Sequence, residues 1–315
     1  HLCAHNAETT LWSRDLRLAE AINERSVNPR YLDGFELHPD LAASADLVEV
    51  VSSTDLLVMA VPSAAFRAVA AAARPHLRPW GPVVSLTKGL ELGTAKRMTE
   101  VVDEELPGRP VGVLTGPNLA KEILAGDAAA AVVAFTNLRI AERMQAIFTH
   151  EQFRVYTSTD VIGCELGGAL KNVIALAAGM ADGLGTGDNT RAAVMTRGLA
   201  EVTRLGVALG GDPATFAGLA GMGDLLATCM SPQSRNRHVG EQLGWGRTLE
   251  EIQAEMTQVA EGVKSAPIVV ELAERHGVYV PIAEQMRACV QDGRSALEAY
   301  AGLVVNPAAR EIDLD

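Results

Sequence analysis

The chain of 315 residues carries a net charge of −12, with 48% hydrophobic, 21% charged and only 4% aromatic residues. That length is enough for about two domains. The acidity excludes a broad nucleic-acid-binding face, which needs an excess of Lys and Arg, but not a small anionic ligand held by a local cluster of donors.

In chain order, short apolar runs alternate with helical patterns over the first half. The runs predict strands at 9–12, 56–61, 83–86, 111–114 and 129–134, and helices at 16–25, 64–73 and 94–105. Nearly continuous apolar strands are those of a parallel sheet covered on both faces. Asp15 and Ser63 precede two of the helices and suit N-caps. From about Asp160 the β-rich runs stop. Helical patterns follow at 168–180 and 192–209, with a Gly/Asp-rich loop at 182–189 between them. The expected organisation is an α/β domain over residues 1–158 and an all-helical domain over 159–315.

Cys3, Cys164, Cys229 and Cys289 are scattered, with no C-x-x-C pair and no His at metal-ligand spacing. They read as free thiols of a reducing compartment, and no metal site is expected. No charged segment followed by an apolar run opens the sequence, and the longest apolar stretch, around 173–181, falls short of the ~20 residues a membrane span needs. A cytoplasmic protein that does not span a membrane is expected.

Candidate chemistry begins at Trp12-Ser13-Arg14-Asp15. At the end of the second strand of a dinucleotide-binding sheet, an acid suits the ribose 2′-hydroxyl of NAD and an Arg the 2′-phosphate of NADP. Arg14 with Asp15 beside it leans to NADP. Such a domain opens on a strand and G-x-G-x-x-G, and no such turn precedes Thr9. The favoured expectation is that about twenty native residues upstream of His1 carry it; the alternative is a domain that has lost its phosphate-binding turn.

Two strand-end loops follow, where open α/β sheets bind ligands. One places Lys88 beyond a buried strand, and the other turns through Gly116-Pro117-Asn118 into a helix. Lys171 and Asn172 lie in an apolar helix among small residues. A Lys there either snorkels to solvent or is desolvated towards the range useful for proton transfer. Asp224 is a glycine-flanked acid in Gly221-Met222-Gly223-Asp224. Ser231-Pro232-Gln233-Ser234-Arg235-Asn236-Arg237 gathers donors suited to a phosphate, with a solvated basic turn as the plain alternative.

Taken together, Thr87-Lys88-Gly89-Leu90-Glu91, Thr115-Gly116-Pro117-Asn118, Leu170-Lys171-Asn172-Val173, Gly221-Met222-Gly223-Asp224-Leu225 and Ser234-Arg235-Asn236 resemble, in order and spacing, the motif series of the bacterial-type NAD(P)-dependent glycerol-3-phosphate dehydrogenases. The resemblance runs from Trp12 to about Ala301 and includes Asn28-Pro29-Arg30-Tyr31-Leu32 and Val61-Pro62-Ser63. It implies a Rossmann-like domain followed by an all-helical substrate domain of the 6-phosphogluconate dehydrogenase C-terminal kind. The implied reaction is reversible reduction of dihydroxyacetone phosphate to sn-glycerol 3-phosphate by NADPH or NADH, in a cytoplasmic homodimer feeding phospholipid synthesis.

By position the resemblance makes Lys171 the proton-transfer residue, with Lys88 orienting the substrate oxygen and Asp224 tuning Lys171. It puts Gly116, Asn118, Ser234, Arg235 and Asn236 on the substrate, the last three at its phosphate. It puts Trp12, Arg14, Lys88, Ala120, Arg235, Val259 and Glu261 along the cofactor. Asn118 departs from the usual Ser or Thr. Two other readings stand beside this one: a noncatalytic ligand-binding protein on a decayed Rossmann domain, and a related dehydrogenase of a hydroxy acid or sugar phosphate.

Overall fold

The computed structural model describes residues 1–256 and 260–304. They divide into two compact units: residues 1–61, 65–86 and 98–161, and residues 62–64, 87–97 and 162 onward.

The first unit opens with β1 (Thr9–Trp12), α1 (Leu16–Arg25) and β2 (Leu41–Ser44). β1 and β2 pair in parallel, from Thr9 opposite Leu41 to Trp12 opposite Ser44. The Asp15 carboxylate accepts from the Arg17 amide and so caps α1. After α2 (Leu47–Ser52) come β3 (Leu57–Met59), α3 (Ser63–Ala73), β4 (Val83–Ser85), α4 (Met98–Glu105), β5 (Val111–Thr115), α5 (Ala120–Leu124), β6 (Ala129–Phe135), α6 (Leu138–Phe148) and β7 (Phe153–Ser158). Strands β3 to β7 form a second sheet in that order. Apolar layers cover it: Phe66, Met98, Val101 and Val102 pack with Val83, while Met144 and Phe148 pack with Val84, Val133 and Val155.

The expected wholly parallel sheet is corrected at one place. β6 runs antiparallel to β5, with Thr115 opposite Val132. The link between them, residues 116–128, carries only the five-residue α5, where a parallel return usually carries a full crossover helix. Strands β2 and β7 went unpredicted. The helix expected from residue 94 starts at Met98, because Leu90 and Arg97 bridge across a turn first. Ser63 is the first residue of α3 rather than its N-cap, and its hydroxyl donates elsewhere, as described below.

The second unit is helical: α7 (Val161–Gly183), α8 (Asp188–Ala208), α9 (Pro213–Phe216), a single π-helical turn (Leu219–Gly223), α10 (Asp224–Met230), α11 (Arg235–Gly244), α12 (Leu249–Glu255), α13 (Glu261–His276), α14 (Pro281–Gln291) and α15 (Ala296–Val304). Its 23-residue α7 is long and apolar enough to cross a bilayer, which corrects the expectation of a shorter stretch. In the fold, 94% of its most apolar window is buried, and Leu166, Leu170, Val173 and Leu176 form the centre of the core. Segment 87–97 belongs to this unit because Leu90 and Ala95 pack into the same core. Glu201 is buried there and accepts from the Ile282 amide (2.8 Å) and the Ala283 amide (3.3 Å), capping α14. Burial pushes its carboxyl up to about 8. All four cysteines are free thiols, and all but Cys3 are buried.

Candidate active site

The sharpest constellation lies within the helical unit. Lys171, in the middle of α7, is buried, and its Nζ donates to Asp224 Oδ1 at 2.7 Å. Lys88 Nζ donates to Asp224 Oδ2, also at 2.7 Å. One carboxylate, itself only 2% exposed, therefore bridges two ammonium groups. Asp224 begins α10 directly after the π-helical turn, an irregularity that recurs at functional sites because it re-aims side chains. The snorkelling alternative for Lys171 does not hold: the helix around it is covered, so its charge is met inside the protein.

Thr228 is a residue that sequence reasoning missed. It follows Asp224 by one helical turn, hence on the same face. Lys171 Nζ donates to its hydroxyl, which in turn donates to the Asp224 carbonyl oxygen at 2.7 Å. The i, i+4 spacing from a glycine-flanked acid was the available signal. Asn172, adjacent to Lys171, donates to the Lys88 carbonyl oxygen at 3.0 Å and accepts from Asn236 Nδ2 at 2.9 Å. Asn236 also accepts from the Gly262 amide at 2.9 Å.

Burial lowers the Lys88 ammonium to about 8; the Asp224 carboxylate opposes that fall and the Lys171 charge adds to it. Two cations on one anion leave the cluster with an excess positive charge, poised for a negative oxygen.

Ser234 caps α11, its hydroxyl accepting from the Arg237 amide at 3.2 Å. Ser234 and Asn236 are buried, while Arg235 is exposed and makes no hydrogen bond or ion pair among the described residues. A helix N-terminus with a free guanidinium beside it is an anion site. The structure thus brings together Lys88, Lys171, Asp224 and Asn236, with Ser234 and Arg235 on the same turn as Asn236. Glu261, at the start of α13, accepts from the Ser63 hydroxyl at 2.8 Å, and its carboxylate approaches Gly89 so closely that a Cβ there would lie 3.0 Å away. Val259 lies outside the described residues.

The other singled-out residues are in the α/β unit, at carboxyl ends of strands. Trp12 ends β1, its indole N–H donating to the Ala45 carbonyl oxygen at 3.2 Å. Arg14 is exposed and has no polar partner among the described residues, so it is free for a phosphate. Thr115 ends β5, and its Oγ1 is buried without a partner there. An orphaned hydroxyl of this kind costs about 1–3 kcal/mol unless a ligand or water meets it. Gly116 follows with φ +134°, where a Cβ would also meet the Ala131 Cα at 3.0 Å. Asn118 is half-buried and Ala120 opens α5, exposed. This donor set suits the adenosine end and the reacting end of a dinucleotide. Residues 1–8 contain no glycine, so no pyrophosphate turn is among them. Among the described residues, no group of three or more His, Cys, Asp or Glu is placed to hold a metal ion.

Comparison with known proteins agrees. Sequence models of the NAD-dependent glycerol-3-phosphate dehydrogenase N-terminus and C-terminus match residues 1–141 and 160–301. A glycerol-3-phosphate dehydrogenase (NAD(P)+) 2 of Sphingopyxis alaskensis is 58% identical over 96% of this chain and 90% of its own length. A glycerol-3-phosphate dehydrogenase (NAD(P)+) of Mycobacterium avium is 49% identical over 99% of this chain and 92% of its own. A crystal structure of glycerol-3-phosphate dehydrogenase from Coxiella burnetii superposes with a TM-score of 0.92 at 34% identity, covering 97% of this chain and 94% of that one. Likeness at this identity over nearly the whole length, on a Rossmann-like domain followed by a helical one, assigns the chain: it belongs to the NAD-dependent glycerol-3-phosphate dehydrogenase family.

Proposed function

We propose that the protein interconverts dihydroxyacetone phosphate and sn-glycerol 3-phosphate with NADPH or NADH. The observation that carries this reading is the buried Lys88–Asp224–Lys171 cluster, with its two 2.7 Å contacts and its excess positive charge. When bound, the reduced nicotinamide supplies the hydride. The residues of the chain do the rest. As the carbonyl carbon becomes tetrahedral its oxygen turns negative, and two nearby ammonium groups stabilise that charge far better in a buried site than in water.

Lys88 holds the oxygen in position and Lys171 transfers the proton to it, or removes it in the reverse direction. Asp224 aims both ammonium groups and supports the charge of Lys88, and Thr228 fixes the direction of the Lys171 Nζ. Ser234, Arg235 and Asn236 take the substrate phosphate, whose binding energy is then available for orientation. Gly116 and Asn118 border the substrate. Trp12 and Arg14 take the adenosine end of the cofactor, with Ala120, Arg235, Glu261, Val259 and Lys88 along its length.

The proposed domain limits are residues 1–158 for cofactor and 159–315 for substrate. The net charge of −12 supports a small-molecule enzyme without nucleic-acid partners. A cytoplasmic homodimer that does not span a membrane and supplies phospholipid synthesis completes the reading. The noncatalytic alternative is not favoured, since the relatives are named as dehydrogenases.

The test is the absorbance decay of reduced nicotinamide with dihydroxyacetone phosphate as oxidant, on protein expressed from its full native start. Decay that depends on substrate supports the reading. Folded protein inert with both NADPH and NADH overturns it.

A further inference from the structure

Of the two arginines in Arg235-Asn236-Arg237, only the first is free. Arg237 is turned away, against the end of α7: its Nε donates to Asp182 Oδ2 at 2.9 Å, and a second guanidinium nitrogen lies 2.8 Å from the same oxygen. Both side chains are largely buried, 17% and 10% exposed. Asp182 also takes Arg191 at 3.3 Å, and Arg237 lies 3.6 Å from Glu241.

The backbones at this contact touch. A Cβ on Gly179 would stand 2.0 Å from the Arg237 carbonyl oxygen, and one on Gly183 2.2 Å from that of Glu241. From the other side, a Cβ on Gly240 would stand 2.0 Å from the Leu176 carbonyl oxygen, and one on Gly244 2.7 Å from the Gly183 Cα. Glycines four residues apart on each helix thus face each other, and α11 lies directly on α7. Such a contact fixes the distance between the helices. Glycine surfaces carry no side chains to interlock, so sliding along the axis is resisted by the ion pair and by the Asn236–Asn172 hydrogen bond, both made from the first turn of α11.

The geometry points to Asp182 and Arg237 as positioning residues that set where the substrate phosphate sits relative to Lys171. Lys171 rides on α7, and Arg235 rides on the first turn of α11. The Asp182–Arg237 pair is the charged tie between those helices, and neither residue is among those assigned to substrate or cofactor. The inference rests on the proposed role of Arg235 at the phosphate. Misplacement of a substrate by about 1 Å is enough to cost about a hundredfold in rate, so a small slide of α11 is kinetically visible.

The test compares dihydroxyacetone phosphate with dihydroxyacetone, which lacks the group that α11 would hold. The readout is the ratio of kcat/KM for the two substrates. Arg235→Ala is expected to collapse the ratio; if it does not, the phosphate reading itself fails and the positioning role falls with it. Arg237→Met is expected to lower the ratio by about tenfold, chiefly through kcat for the phosphorylated substrate, as misplacement of the reacting group does. Arg237→Lys, which keeps the charge, is expected to recover part of it.

Asp182→Asn, which conserves volume, reads the same ratio should Arg237→Met not fold. A wild-type ratio in the folded Asp182 or Arg237 variant, alongside a collapsed ratio in Arg235→Ala, overturns the positioning role and leaves the phosphate reading standing. A parallel fall for both substrates also overturns it, because a merely structural defect does not distinguish them.

Discussion

Replacing Asp224 by Asn keeps the volume at the centre of the lysine pair and removes its charge. Each ammonium sits 2.7 Å from its own carboxylate oxygen. At an effective dielectric constant of about 20, one such contact is worth about 6 kcal/mol. Since about 1.4 kcal/mol equals one pK unit, even a third of that contact moves an ammonium by about 1.5 units. Lys88 stands at about 8, lowered by burial and by Lys171 and held up only by Asp224. In Asp224→Asn the support goes and both lowering causes stay, so Lys88 loses its proton at a lower pH than in the native protein.

The assay is kcat/KM for dihydroxyacetone phosphate reduction between about pH 5.5 and about pH 9, which reports ionisations of the free enzyme. Reduction needs the charged ammonium, so the native enzyme is expected to lose rate as pH rises through about 8. The variant is expected to lose it at least about 1.5 units lower and to be slower by about tenfold or more at neutrality. Uncompensated buried charge also destabilises the fold, by about 3–5 kcal/mol, so thermal melting is followed in parallel. A folded Asp224→Asn enzyme with the native alkaline limb refutes the reasoning: Asp224 would then not be what holds Lys88 charged.

Lys171→Ala is expected to fold, by circular dichroism, and to lose about a hundredfold or more in turnover; near-native turnover removes Lys171 from the mechanism. Glu201 has a folded-state pKa of about 8 against an ordinary 4.5, so the folded protein binds the extra proton across that window. Stability is then greatest on the acid side and is lost as pH rises through about 8, and a melting temperature that falls between about pH 6 and about pH 8.5 checks it, with Glu201→Gln flattening the slope. Arg14→Ser is expected to lower the preference for NADPH over NADH by about tenfold in kcat/KM, because a free guanidinium is lost where a 2′-phosphate would sit; an unchanged preference excludes Arg14 from selection. Gly240→Ala drives a Cβ to 2.0 Å from the Leu176 carbonyl oxygen, and an unfolding free energy lower by about 1–3 kcal/mol or more, read from a lower denaturant midpoint, is expected.

The sequence signals for residues that the structure brings together share a physical origin. Lys171 and Asn172 were conspicuous because polar residues inside an apolar helix need a stated reason, and Asp224 because the glycines just before it, Gly221 and Gly223, mark a backbone drawn close to something. Residues whose chemistry is ordinary until they meet a partner stayed hidden. Thr228 sits in Ala227-Thr228-Cys229, a stretch that reads as plain helix. Arg237 is indistinguishable in sequence from Arg235, and only the position of Asp182, 55 residues away, separates their tasks.

In the sheet, β2 and β7 were missed because exposed or half-buried residues alternate along them. That pattern over four to six residues does not stand out from a loop. The direction of β6 was illegible for another reason. A strand buried on both sides is apolar whichever way it runs, and the link over residues 116–128 is long enough for either direction.

The placement of charge in the helical unit follows from what each charge has to discriminate. A chain with a net charge of −12 keeps Arg235 exposed and unpaired, yet sets one buried and one half-buried ammonium group on one buried carboxylate. A free guanidinium in solvent is cheap to maintain, and in the role proposed for Arg235 it would meet a phosphate that is equally charged in substrate, transition state and product. Such a contact strengthens binding of all three alike and does not by itself speed the chemistry. The carbonyl oxygen is different, since its charge grows only as the reaction proceeds. Ammonium groups in solvent would be screened and would distinguish a neutral oxygen from a negative one only weakly. Buried, with their directions fixed by Asp224, Thr228 and the surrounding core, they distinguish the two strongly, at the cost of an interior with excess positive charge. Asp224 offsets part of that cost without cancelling the excess, so the cluster is stable enough to fold and is neutralised only when the oxyanion forms.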